Sequence, residues 1–394
     1  MKYQKVFLVH LAILLFLLSG CSSGEARQDI LNPGAPSQTV GEAKQAPAPA
    51  SPPPTLKNTS TAVIQTTTSP SQTVAPSSTP PPAPTETRPG FAVGEELTID
   101  YLVNLEIPAS EIVFKEQLRP GVNYQRNLVS YTAQGNTIFG LLTVPKSSPP
   151  AGGFKAIVFN HGYIPPGEYS TTERYEAYVD YLARNGFVVF KIDFRGHGQS
   201  EGLPTGTYFS PAYTIDAVAA LKSLQQLDFV DPDGIGMWGH SMAGNLVVRA
   251  MLIEPDIQAG VVWAGAVYSY HDFIKYSIND QTYQPPPTPD KGGGADPRRQ
   301  TREIFSVYGR PDTDSAFWQA VALTEHLGLL TRPLQIHHAE NDPVVSINYS
   351  LDLALALKKA GKNYQFFTYE GHNLNSPYFD QAMIRTVQFF RDNL

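Results

Sequence analysis

From Lys155 to the C-terminus, short apolar runs rich in β-branched and aromatic residues alternate with stretches of helical periodicity. Few folds accommodate that pattern. The strand candidates are Lys155–Asn160, Phe187–Asp193, Gly234–Trp238, Ala259–Ala264, Leu334–Ala339 and Tyr364–Tyr369. Helical stretches lie between and after them, at Thr172–Asn185, Ala212–Leu227, Met242–Glu254, Ile347–Ala360 and Pro377–Asn393. In the second, Ile215, Val218, Ala219, Leu221 and Leu224 recur at the spacing of one helix face. Upstream, Asn127–Ala133 and Thr137–Val144 flank Gln134-Gly135-Asn136 and read as a hairpin. A hairpin followed by repeated strand–helix units predicts the α/β class: a mostly parallel, twisted sheet covered by helices on both faces. Chemistry on such a sheet belongs at the carboxyl ends of the strands. Phe91–Arg126 is expected to form a small extra β element.

The first 90 residues are of another kind. Met1–Lys5 carries two lysines, Val6–Leu18 is apolar apart from His10, and Ser19-Gly20 leads into Cys21. That is the layout of an export signal, and the run is short of the roughly 20 residues a membrane-spanning helix needs. Leu18-Ser19-Gly20-Cys21 resembles the lipobox of bacterial lipoproteins, which implies removal of residues 1–20 and lipidation of Cys21. Cys21 is the only cysteine of the 394 residues, so no disulfide framework is possible. Residues 22–90 contain no Phe, Tyr or Trp and are dominated by Pro, Ser, Thr and Ala. Such a segment cannot build a core and reads as a disordered tether, extending at most roughly 200 Å at about 3.1 Å per residue. The expected location is the bacterial cell envelope, outside the cytoplasm, with the membrane as a partner through the anchor. Residues 91–394 hold 23 basic and 32 acidic side chains, a balance that argues against a nucleic-acid partner.

Two serines compete as nucleophile. Gly198-Gln199-Ser200-Glu201-Gly202 is a literal Gly-x-Ser-x-Gly, and Gly239-His240-Ser241-Met242-Ala243 is a near match. The nucleophile elbow needs a strand, a tight turn and a helix that starts at once, with small neighbours where strand and helix approach. Ser241 follows Ile235–Trp238 and precedes the helical run from Met242, whereas Pro204 and Gly206 follow Ser200 and prevent a clean helix start. Ser241 is the expected nucleophile. A hydroxyl nucleophile needs a base and a group to orient that base, in the chain order Ser, acid, His on this kind of sheet. Asp342 lies just past the strand Leu334–Ala339, and His372 just past Tyr364–Tyr369, which makes them the expected acid and base. Glu340 is an alternative acid. His337 and His338 lie inside a strand and are expected in the core or supporting the site. The oxyanion donors are expected to be the Met242 N–H and, from Asn160-His161-Gly162-Tyr163, the Tyr163 N–H. No His, Cys or carboxylate spacing makes a metal site, and no cofactor is expected.

Asn160-His161-Gly162, Asp193-Phe194-Arg195-Gly196-His197-Gly198, the Ser241 elbow, Asp342-Pro343-Val344-Val345 and Gly371-His372 together resemble the α/β-hydrolases. The branch resembled is the catalytic domain of the prolyl-oligopeptidase (S9) group and related esterases. The resemblance covers Asn127 to Leu394. It implies a Ser241–His372–Asp342 triad acting through an acyl-enzyme on a small ester or a short peptide, with Arg195–Gly198 as structural support. Ala243 departs from the strict motif, and no propeller-length segment precedes the domain, which weakens the peptidase expectation relative to an esterase. Residues 268–315 occupy the place where this fold often carries a cap over the pocket. A non-catalytic binding protein on a hydrolase fold and a lipid-active enzyme are the remaining readings.

Overall fold

A computed structural model describes residues 92–283, 299–373, 375 and 377–394. The signal segment, Cys21, the tether and residues 284–298 of the expected cap lie outside the described residues.

The strands are β1 (Val113–Leu118), β2 (Tyr124–Ala133), β3 (Asn136–Pro145), β4 (Phe154–Asn160), β5 (Val188–Ile192), β6 (Val230–His240), β7 (Gly260–Trp263), β8 (Leu334–Ala339) and β9 (Tyr364–Tyr369). They form one sheet in the order β1-β2-β3-β5-β4-β6-β7-β8-β9. The first three strands and the β3–β5 junction are antiparallel, and every pairing from β5 to β9 is parallel. The β2–β3 turn is made by Gln134 and Gly135, both at positive φ (47° and 76°), the geometry of a tight two-residue hairpin.

The helices are α1 (Ile99–Val103), α2 (Glu176–Arg184), α3 (Ala212–Leu224), α4 (Met242–Ile253), α5 (His271–Tyr276), α6 (Arg299–Tyr308), α7 (Ala316–Val321), α8 (Asn348–Lys359) and α9 (Phe379–Asn393). Alternate strand residues feed two cores, as the two-residue period of a strand requires. Ala156, Val158, Phe190, Met237 and Val262 pack with α3, α4 and α8 on one face. Ile157, Phe159, Val189, Trp238 and Trp263 pack with α2 and α9 on the other. The indoles of Trp238 and Trp263 lie 5.6 Å apart, both fully buried at the carboxyl ends of β6 and β7. The 91–126 region corrects its expectation in part. It contains β1, but also a 3-10 turn (Glu95–Leu97) and α1, whose Leu97, Ile99 and Leu102 are buried.

The chain runs from β4 outward to β5, then crosses back over β4 to β6 on its other side. The order of the strands therefore reverses between β4 and β6. The loops leaving their carboxyl ends diverge there and open a crevice, the place where such sheets bind ligands.

Candidate active site

Ser241 stands between β6 and α4 with φ 53° and ψ −117°, a backbone conformation that a residue with a side chain adopts at a cost of about 1–3 kcal/mol. The turn is held by Ser241 N–H donating to Trp263 O (2.8 Å) and Gly244 N–H donating to Ser241 O (2.9 Å). Two glycines make it possible. A Cβ on Gly239 would lie 2.5 Å from Ala243 O, and one on Gly244 would lie 2.6 Å from Gly265 Cα. Ala243, where the strict motif has glycine, is fully buried with its methyl accommodated. Ser200 is spent elsewhere: its hydroxyl donates to Asp193 O (3.0 Å) and accepts from Phe139 N–H (2.9 Å).

Ser241, Met242 and Tyr163 all line one cavity of about 620 Å³. Met242 N–H is the first of α4 and has no acceptor within its own helix, so it is free to serve a ligand. The walls are aromatic, with Tyr208, Phe209, Tyr213 and Phe273 among them, and Ile278, Asp280, Tyr283, Thr301 and Arg302 also line it. The segment expected as a cap therefore contributes to this cavity through its described ends.

The acid and base loops are adjacent but differently engaged. Glu340 N–H donates to Tyr369 O and Asn341 N–H to Gly371 O, which prolongs the β8–β9 pairing and sets the two loops side by side. Asp342 Oδ1 accepts from Val344 N–H (2.9 Å) and Val345 N–H (3.0 Å). Its Oδ2 lies 4.0 Å from His338 Nε2. His338 is buried and neutral in character: desolvation lowers its pKa, Nε2–H donates to Val345 O (2.8 Å), and Nδ1 accepts from Ser350 Oγ (2.7 Å). It thereby anchors the Asp342 loop. His337 is likewise buried, its ring held between Tyr369 Oη and Gln335 Oε1. His372 is exposed, and its Nδ1–H donates to Asn341 O (3.0 Å). A carbonyl can only accept, so in the neutral ring the lone pair is left on Nε2, the form a general base needs. The structure thus brings Ser241, Met242 and Tyr163 together and leaves Asp342 and His372 outside the cavity lining. Glu340 is exposed and accepts from Thr368 Oγ1 (3.0 Å).

Arg195–Gly198 packs beside the site, the place the resemblance implied for it. Arg195 grips both carboxylate oxygens of buried Asp216 on α3 through Nε and Nη2. His197 reaches the cavity wall. Asp193, at the end of β5, accepts from Tyr169 Oη (2.6 Å) and Thr171 Oγ1, fastening the loop that follows Tyr163. Burial raises the Asp193 carboxyl to about 6. Sequence reasoning missed Tyr175, whose hydroxyl touches both site loops, because nothing local marks it. Among the described residues no group of three or more His, Cys, Asp or Glu could hold a metal ion.

Topology and elbow define the architecture: the chain has the α/β-hydrolase fold. Residues 154–281, from β4 through the elbow to just past α5, match the hydrolase family described as serine aminopeptidase, S33. A protein of Mycobacterium phage D29 named as a non-heme haloperoxidase is 32% identical over 138 residues, covering 34% of this chain and 43% of that protein. The chain spans less than half the length of the curated relatives it matches. Among solved structures, the acetyl xylan esterase from Paenibacillus sp. R4 aligns with a TM-score of 0.53 at 16% identity, over 75% of this chain and 92% of that one. The dipeptidyl peptidase 4 of Porphyromonas gingivalis aligns with a TM-score of 0.51 at 18% identity, over 69% of this chain and 36% of that one. The structural likenesses carry the fold, and the family match covers residues 154–281.

Proposed function

We propose that the protein is a lipid-anchored, extracytoplasmic serine hydrolase that cleaves small or medium esters through an acyl-enzyme on Ser241. The observation that carries this reading is the strained Ser241 at the wall of an aromatic cavity, beside the first N–H of α4. Ser241 Oγ attacks the acyl carbon while His372 Nε2 takes its proton. The oxyanion is met by the Met242 and Tyr163 N–H groups, and the alcohol leaves with the proton from His372. Water then repeats the sequence on the acyl-enzyme. Asp342 steadies the imidazolium, which requires His372 to turn from Asn341 O towards it when substrate is bound; catalytic contacts are often loose in the free enzyme. A volume of about 620 Å³ suits a drug-sized acyl or alcohol group. Residues 268–315 act as a cap whose described ends close the cavity, and Cys21 carries the lipid at the end of the 22–90 tether.

The test uses the full-length protein with a fluorophosphonate probe and short-chain nitrophenyl esters. Ser241→Ala is expected to lose labelling and at least 1,000-fold in turnover, an order set by the removal of a covalent nucleophile; full retention of either refutes the reading. In the same preparation Cys21→Ser should move the protein from membranes to the soluble fraction. A peptidase reading is favoured by the serine aminopeptidase match of residues 154–281. Aminoacyl and prolyl nitroanilides turned over faster than esters would establish it.

A further inference from the structure

We infer that Tyr175 is a positioning residue whose hydroxyl ties the two halves of the oxyanion site together, an inference that rests on the Ser241 reading. Strands β4 and β6 are paired in parallel up to Asn160 and Gly239, and there their ladder ends. The loops beyond it must separate to make room for a substrate, yet the N–H groups of Tyr163 and Met242 must converge on one oxygen atom. Something has to fix the gap.

The Tyr175 hydroxyl occupies that position. It accepts from Gly162 N–H at 2.9 Å and lies 2.7 Å from His240 Nδ1. Gly162 immediately precedes Tyr163, and His240 immediately precedes Ser241. The oxygen that receives the Gly162 proton still has its own proton and a second lone pair, so it meets Nδ1 of a neutral imidazole in either tautomer, donating to its lone pair or accepting from its N–H. Desolvation lowers His240 to about 4, so the ring is neutral wherever the enzyme would work. The hydroxyl thus adds one further rung, made by a side chain, to a ladder whose backbone rungs have run out.

Three features fit the surroundings to this contact. A Cβ on Gly162 would lie 2.8 Å from Tyr175 Oη and 2.9 Å from His240 Nδ1, so only glycine lets the three groups meet. Tyr175 itself has φ 59° and ψ 27°, a left-handed conformation that is unfavourable for a residue with a bulky side chain and is retained here together with the contact. Its ring packs edge-on against Phe159 (5.6 Å) and Trp238 (6.2 Å), one residue before the last paired positions of β4 and β6. The ring therefore takes its bearing from the same two strands whose loops the hydroxyl connects. Tyr175 does not line the cavity that holds Ser241, so its action is through Gly162 and His240 and not on substrate.

The experiment compares Tyr175→Phe, His240→Leu and His240→Asn with the full-length wild type, using a short-chain nitrophenyl ester and a trifluoromethyl ketone as transition-state analogue. Tyr175→Phe and His240→Leu are expected to lower kcat by about 10- to 100-fold, somewhat less than loss of a whole oxyanion donor, with KM within about twofold. Affinity for the ketone should fall in the same proportion. His240→Asn, whose side-chain oxygen can replace Nδ1 as acceptor, should recover to within about threefold of wild type. If one variant fails to fold by circular dichroism, the remaining two decide the matter. A hydroxyl with a merely structural role would lower the melting midpoint and leave kcat and ketone affinity unchanged, which overturns the inference alone. Turnover that survives Ser241→Ala overturns the inference and the reading beneath it together.

Discussion

At the scale of single residues, the two Gly-x-Ser-x segments have opposite fates that their patterns do not reveal. Ser241 is held at positive φ beside a helix start, while the Ser200 hydroxyl bridges Asp193 O and Phe139 N–H. Ser200→Ala should leave fluorophosphonate labelling intact and lower stability by about 1–3 kcal/mol, because Phe139 N–H loses its acceptor. Chemical denaturation alongside labelling checks both halves, and loss of labelling in folded protein would reverse the assignment. The elbow was legible because its requirements are local: strand, small residues and helix follow one another within about a dozen positions. Even so, the glycine of the strict motif proved dispensable at Ala243, whereas Gly239 and Gly244 admit no side chain. Tyr175 was not legible, since its partners are 13 and 65 residues away and no spacing encodes such a contact.

At the scale of elements, strands were found where apolar β-rich runs stood, with β8 and β9 at the expected limits. The helix Ala212–Leu224 ended one turn early, and Thr172–Asn185 began late, at Glu176, because Asp193 holds residues 169–171 in a loop. α1 was missed altogether. It has five residues, too few for periodicity, and forms because Thr98 Oγ1 caps Tyr101 N–H while Ile99 and Leu102 are buried. The loops at the ends of β8 and β9 stand where the strand limits put them, but that Asp342 and His372 would each be held by backbone groups and not by one another was beyond any sequence pattern. A contact between elements also had a readable half: Arg195 stood out in its turn, while its partner Asp216 was hidden inside the α3 pattern. Their buried pair fastens the β5 turn to α3. Asp216→Ala strands the guanidinium and should destabilise the fold by about 3–5 kcal/mol, read as a shift in urea midpoint. A shift below about 1 kcal/mol would mean that water reaches Arg195 and relieves it.

At the scale of the whole molecule, five histidines among the described residues are held neutral by desolvation: His161, His197, His240, His337 and His338. The unfolded chain binds protons at these rings below the usual histidine value of about 6.5, and the folded chain resists doing so. Stability is therefore present above pH 6.5 and falls as the pH drops, for His240 until about pH 4. Each ring contributes up to about 1.4 kcal/mol per unit. Asp193, raised to about 6, acts in the opposite sense, because its folded form takes up a proton first. Asp216 and Asp272 are raised as well and act in the same sense as Asp193, but only the imidazoles have their unfolded-state value inside the window from about pH 5 to 7, so acidification is expected to destabilise. The urea midpoint should be lower at pH 5.5 than at pH 7.5, and His337→Gln should flatten that difference; a midpoint that rises on acidification would refute the balance. None of this was visible in the formal charge of −7, which treats every histidine alike. The three tryptophans carry one more consequence of the packing. Trp238 and Trp263 lie beneath the elbow, while Trp318 touches the cavity wall through Phe209, ring centres 6.5 Å apart. The protein thus contains its own optical probes: intrinsic fluorescence followed by stopped flow can register filling of the cavity and, on the proposed mechanism, acylation of Ser241 as separate phases, with no label attached.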